Sequence, residues 1–90
     1  MPFDLPPPWF DYPYTSGPVI ETTLSAAWVE AFCRPGMAAC TRPPKFDGDK
    51  CFILLPIVGP GGVSAQSQAL LRRHEMGHCN GWSADHESAQ

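Results

Sequence analysis

The clearest apolar run in the chain is Cys51-Phe52-Ile53-Leu54-Leu55-Pro56-Ile57-Val58. Asp47-Gly48-Asp49-Lys50 precedes it and Gly59-Pro60-Gly61-Gly62 follows it. A short apolar run between turn signals predicts a strand. Upstream, Leu24, Ala27, Trp28 and Phe32 recur at three-to-four spacing, with Ala31 alongside. That period predicts a helix from Thr22 or Thr23 to Phe32, capped by one of the threonines and stopped by Pro35-Gly36. Its aromatic face is expected to be core, which would make it a scaffold helix. Ala38–Arg42 predicts a short strand. A second helix is predicted over 63–80, with Ser64 as N-cap and the helical turns running Ala65–Asn80. Gly81 follows as the residue expected in the left-handed conformation.

Residues 1–18 break this patterning. Pro2, Pro6, Pro7, Pro8, Pro13 and Pro18 alternate with Phe3, Trp9, Phe10, Tyr12 and Tyr14. Proline excludes a regular helix and favours extended geometry. An arm this aromatic is expected to lie across the domain and bury its rings. The sharper expectation is an inhibitory or substrate-like arm crossing a cleft.

Ninety residues make one small domain, a size that usually needs a staple. Cys33, Cys40, Cys51 and Cys79 are even in number and contain no C-x-x-C pair, so two disulfides are expected rather than a metal cluster. Sequence leaves their pairing open. The expected home is secreted or periplasmic. Met1-Pro2-Phe3-Asp4 has no basic lead-in and no apolar stretch after it, so no signal peptide is expected in the sequence as it stands. No run approaches the length of a membrane span. A net charge of −3 without a basic patch speaks against nucleic acid as a partner. A monomer is expected. Asp47 and Asp49 lack the spacing of a calcium loop, and the glycines at 59–62 lack the Lys-Ser/Thr of a phosphate loop.

The candidate chemistry lies in His74-Glu75-Met76-Gly77-His78, followed by Gly81, Asp85 and His86. All three histidines of the chain fall here. On a helix, positions four apart share a face, so His74 and His78 can hold one Zn²⁺ through neutral imidazoles. Glu75 leans to the same edge and can reach a water on the metal without being a ligand. The bland alternative is an amphipathic helix with a solvated Glu and histidines at the edge of a core. His86 is the preferred third ligand and Asp85 the alternative, either binding the ion or orienting an imidazole. Cys79 points away from the His78 face and suits a disulfide better than coordination.

His74, Glu75, His78 and Gly81 resemble the zincin metallopeptidases, and within them the metzincins, whose pattern is H-E-x-x-H-x-x-G-x-x-H/D. The family's third-ligand position falls on Ala84 here, with Asp85 and His86 one and two residues late. The resemblance implies a small α+β zincin-like domain, disulfide-stapled, with a short antiparallel sheet, a scaffold helix and an active-site helix. It implies zinc-dependent peptide-bond hydrolysis with Glu75 as general base. It also implies that the Phe52–Leu55 strand borders the cleft and pairs with extended polypeptide substrate through its edge. Without the resemblance, that run reads equally as a buried central strand. Two other classes stay open. One is a toxin-like or binding module whose zinc is purely structural, closed by His74, His78, Asp85 and His86. The other is a zinc amidase acting on non-protein material. No nucleophile motif competes, since no G-x-S-x-G is present.

Overall fold

A computed structural model describes residues 4–86. Five elements follow one another: β1 (Val19–Leu24), α1 (Ala26–Cys33), β2 (Cys40–Arg42), β3 (Cys51–Pro56) and α2 (Ala65–Cys79). The strands form one sheet in the order β1-β3-β2. β1 runs parallel to β3, with Val19 opposite Cys51 and Leu24 opposite Pro56. β2 is antiparallel to β3, with Thr41 opposite Ile53. The α+β class holds. The sheet is mixed rather than antiparallel, because β1 returns to β3 by a long crossover instead of a hairpin.

Two elements differ from the expectation. Val19, Ile20, Thr22 and Thr23 are β-branched, stiff at χ1 and suited to a pleated surface. They form a strand, so the threonines that looked like a helix cap end β1 instead. The cap passes to Ser25, whose Oγ accepts from the Trp28 amide at 3.3 Å. The helix that remains has eight residues and buries Val29, with Cys33 half-buried one turn on. Trp28 and Phe32 are 59% and 67% exposed. They are not core, because the inward face of so short a helix is set by Val29 and Cys33.

β3 is the central strand. It pairs with β1 over its whole length and with β2 from Phe52 to Leu54. The edge expected at Phe52–Leu55 is therefore already occupied by neighbouring strands. Cys51, Ile53 and Leu55 are buried at the period of a strand. They join Ala39, Leu71 and Cys79 in one core cluster, so β3 and α2 pack face to face.

Disulfides join Cys33 to Cys40 and Cys51 to Cys79, leaving no free cysteine. The first ties α1 to β2 and the second ties β3 to the C-terminal end of α2. Such bonds fit an oxidising compartment. No helix among the described residues is long and apolar enough to cross a membrane.

Candidate metal centre

α2 begins where Ser64 Oγ accepts from the Ser67 amide at 3.1 Å. It ends at Asn80, and Gly81 takes φ +105°, the left-handed geometry of a helix terminus. Leu71, His74, Glu75 and Cys79 are buried and His78 is half-buried. These positions form one helical stripe, so the inward face of α2 carries the candidate ligands as well as core.

The histidines are oriented by backbone carbonyls. His78 Nδ1 lies 2.8 Å from the Trp82 carbonyl, and His74 Nδ1 is hydrogen-bonded to the Asp4 carbonyl. A carbonyl can only accept, so both Nδ1 atoms carry the proton and the Nε2 atoms are the ones that bear the coordinating lone pairs. Trp82 also stacks on His78, with ring planes 12° apart and centroids 4.9 Å apart. The chain then turns back over the helix end. His86 adopts φ +62°, unusual for a residue with a side chain, and its amide donates to the Ser83 carbonyl at 2.9 Å. This turn sets His86 Nε2 3.2 Å from His78 Nε2.

The donor atoms of His74, His78 and His86 all lie within 4.8 Å of one another, close enough to hold one metal ion. Two nitrogens facing each other at 3.2 Å need a proton or a cation between them. Nitrogens bound at about 2.0–2.1 Å to a tetrahedral ion sit roughly 3.3 Å apart. The His78–His86 pair already stands at that spacing, and the group as a whole, within 4.8 Å, would draw in around an ion. Asp85 is not part of this group; its carboxylate accepts from Ser83 Oγ at 2.5 Å. Burial lowers the His78 pKa, against a raising hydrogen bond to the Trp82 carbonyl. Burial and the two neighbouring imidazoles lower that of His86. Both shifts favour the neutral ring that coordinates metal.

Glu75 is 5% exposed. Its Oε1 accepts from Thr41 Oγ1 at 2.7 Å, and its Oε2 stands 3.9 Å from His74 Nε2. Burial raises its pKa, while the Thr41 hydroxyl and then His74 and His86 pull it back. Thr41 also reaches the Glu75 carbonyl at 3.2 Å, so β2 is pinned to α2 at this point.

Comparison with known protein families, curated proteins and solved structures found no match. The site is accordingly read from its own geometry.

The N-terminal arm does lie across the domain, and it does so along α2. Asp11 pairs with Arg73 at 2.9 Å, Asn80 Nδ2 donates to the Phe10 carbonyl at 3.1 Å and also to the Tyr12 carbonyl, and Pro6 is buried against Gly77. A Cβ at Gly77 would come within 2.5 Å of Pro6 Cγ, so the glycine is what lets the arm approach. The rings of the arm divide: Tyr14 packs against the core cluster and Phe10 is half-buried, while Trp9 and Tyr12 stay about half exposed. Phe3 lies outside the described residues. Asp4, Leu5, Pro7, Pro8 and Trp9 line a groove of about 430 Å³ together with Trp82 and His86.

Thr41, Trp82 and the Asp4 carbonyl escape the sequence motif. Thr41 belongs to another strand, and a carbonyl contact has no side-chain signature. Trp82 follows directly after the Gly81 turn, and a large ring there is the one signal the sequence offers.

Proposed function

We propose that this protein is a zinc-dependent peptidase in which His74, His78 and His86 hold the ion and Glu75 is the general base. The observation that carries the reading is the pairing of a three-imidazole cluster with a buried carboxylate that is oriented but not part of the cluster. Zinc bound there would polarise a substrate carbonyl and lower the pKa of a water toward about 7. Glu75 Oε2, the oxygen not held by Thr41, takes the proton from the attacking water and delivers it to the leaving amine. Thr41 fixes the carboxylate's orientation. The Trp82 and Asp4 carbonyls keep the helix imidazoles in the coordinating tautomer.

Polypeptide is the substrate class that the sheet favours. Among the described residues β2 pairs with β3 alone, and its middle residue holds the general base. An extended chain added to the outer edge of β2 would run past Glu75, with main-chain hydrogen bonds supplying affinity. This moves the substrate edge from β3 to β2. A secreted protein fits both the disulfides and this chemistry. The structural-zinc alternative needs a fourth protein ligand, and Asp85, its nominated member, stands outside the cluster.

The test is Glu75→Gln. It should keep stoichiometric zinc and lose about 10²–10⁴-fold in the rate of hydrolysis of an unstructured polypeptide. His78→Ala should lose the zinc itself. Zinc loss in Glu75→Gln would make Glu75 a ligand and remove the general base. A zinc-loaded wild type inactive on unstructured polypeptides would overturn the peptidase reading.

A further inference from the structure

The arm and the metal centre share one residue. His74 offers Nε2 to the cluster and donates from Nδ1 to the Asp4 carbonyl at the start of the described arm. The ties of Pro6 and Asp11, and those of Phe10 and Tyr12 to Asn80, land on the same helix or its C-cap. Pro6 packs over Gly77, three residues after His74; Asp11 pairs with Arg73, immediately before it; Phe10 and Tyr12 meet Asn80, two residues after His78. The arm therefore spans the same stretch of α2 that carries both helical ligands.

We infer that docking of residues 4–12 and occupancy of the three-histidine site are coupled equilibria, so that metal tightens the docked arm and arm release weakens metal binding. The inference rests on the metal assignment above and adds its regulation.

The physical basis is the imidazole itself. A cation on Nε2 draws electron density through the ring and makes the Nδ1 proton a stronger donor, which tightens the bond to the Asp4 carbonyl. That carbonyl, in turn, holds the ring in the coordinating tautomer and raises its basicity. Coupling between two binding events is reciprocal: the factor by which metal favours the docked arm is the factor by which the docked arm favours metal. The arm also walls the groove beside His86 through Pro7, Pro8 and Trp9. Metal loss thus loosens that wall by the same factor. Removing an outer partner of a ligand typically weakens metal binding about 10–100-fold, which sets the expected scale.

The experiment uses the full chain and needs no catalytic readout. Zinc affinity is measured by competition with a chromophoric chelator for the wild type, for Pro6→Gly/Asp11→Ala, and for Asn80→Ala. The first variant loosens the arm from its own side. The second loosens it from the helix side and guards against a local defect in either. All three histidines are retained, and circular dichroism of the metal-free forms checks that the fold persists. Zinc affinity should fall by up to about 10–100-fold in both variants. In the wild type, chymotryptic cleavage after Trp9 or Phe10 should slow by a comparable factor at saturating zinc, because cleavage needs the arm released. Unchanged affinity in both folded variants, or cleavage indifferent to zinc, overturns the coupling while leaving the metal site intact. A wild type that fails to bind zinc at all overturns the metal assignment and the coupling together.

Discussion

The half of the molecule built from β3 and α2 and the half built from β1 and α1 use amphipathic patterning to opposite ends. α1 has the stronger apolar face, yet it shows Trp28 and Phe32 to solvent and buries Val29. α2 is mostly polar, with Gln66, Gln68, Arg72 and Arg73 along it, yet its inward stripe is closed by Leu71, His74, Glu75 and Cys79. Periodicity reports that a helix exists and which residues share a side. What covers that side is decided by the neighbour. α2 lies against the buried face of β3 and is bonded to it through Cys51–Cys79. α1 is a short crossover with little to lie against. In so small a domain the stripe that would elsewhere be aliphatic is given over to a disulfide and a candidate metal centre.

The contrast should be largest in the disulfides. Cys51–Cys79 closes a separation of 28 residues and Cys33–Cys40 one of 7. Loop-closure entropy alone assigns them about 3.6 and about 2.4 kcal/mol. Cys51 and Cys79 are also buried, so replacing both by Ala adds packing loss to the entropy. Urea denaturation should therefore rank Cys51→Ala/Cys79→Ala as far more damaging than Cys33→Ala/Cys40→Ala, against a total stability of roughly 5–15 kcal/mol. The reverse ranking would place the stabilising half around α1.

Single side chains should repeat the pattern on a smaller scale. Leu55 is fully buried in the β3–α2 core, so Leu55→Ala should cost about 2–5 kcal/mol. Trp28→Ala removes a larger but exposed side chain and should stay within about 0.5 kcal/mol of wild type. If Trp28→Ala were the costlier of the two, the expectation of an aromatic core face on α1 would stand after all.

How much of this was legible beforehand follows the same division. α2 was readable from Ser64 to Gly81 because cap, period and terminal glycine agree. β3 was readable as an apolar run between turns, though its place in the sheet was not, since a run of that kind suits a central or an edge strand equally. Thr22–Leu24 reads as a helix start but ends β1, because Thr22 and Thr23 serve both as helix caps and as strand residues, and the β-branched residues before them outweigh the cap signal. Within the site, His74, Glu75 and His78 are local in sequence and were nominated together. Thr41 comes from another strand and Asp4 contributes only a carbonyl, so neither carries a motif. His86 joins the two helical histidines through its left-handed turn, a backbone feature with no signature in the residue itself.

The smallest effect tests the ion pair that crosses between the two halves. Arg72 on α2 meets Glu21 on β1 through paired contacts of 2.7 and 3.0 Å. The hydrogen bond from Arg72 lowers the Glu21 pKa, opposed by partial burial. The folded state therefore holds its proton less tightly than the unfolded chain does. Unfolding takes up protons in acid, and stability from this pair rises with pH. The contribution is complete above the unfolded Glu value of about 4.3 and fades as pH falls through the depressed folded value. Both side chains are about a third exposed, and solvent screening reduces the pair to a few tenths of a kcal/mol. The measurement is the difference in urea midpoint between wild type and Arg72→Gln from pH 3 to pH 7. Taking the difference cancels histidine titration, which both proteins share. The gap should be small and steady near neutrality, close in acid, and shrink in 1 M salt, where the screening length is only about 3 Å. A gap that survives both acid and salt would mean that Arg72 joins the halves by packing its stem against β1 rather than by charge.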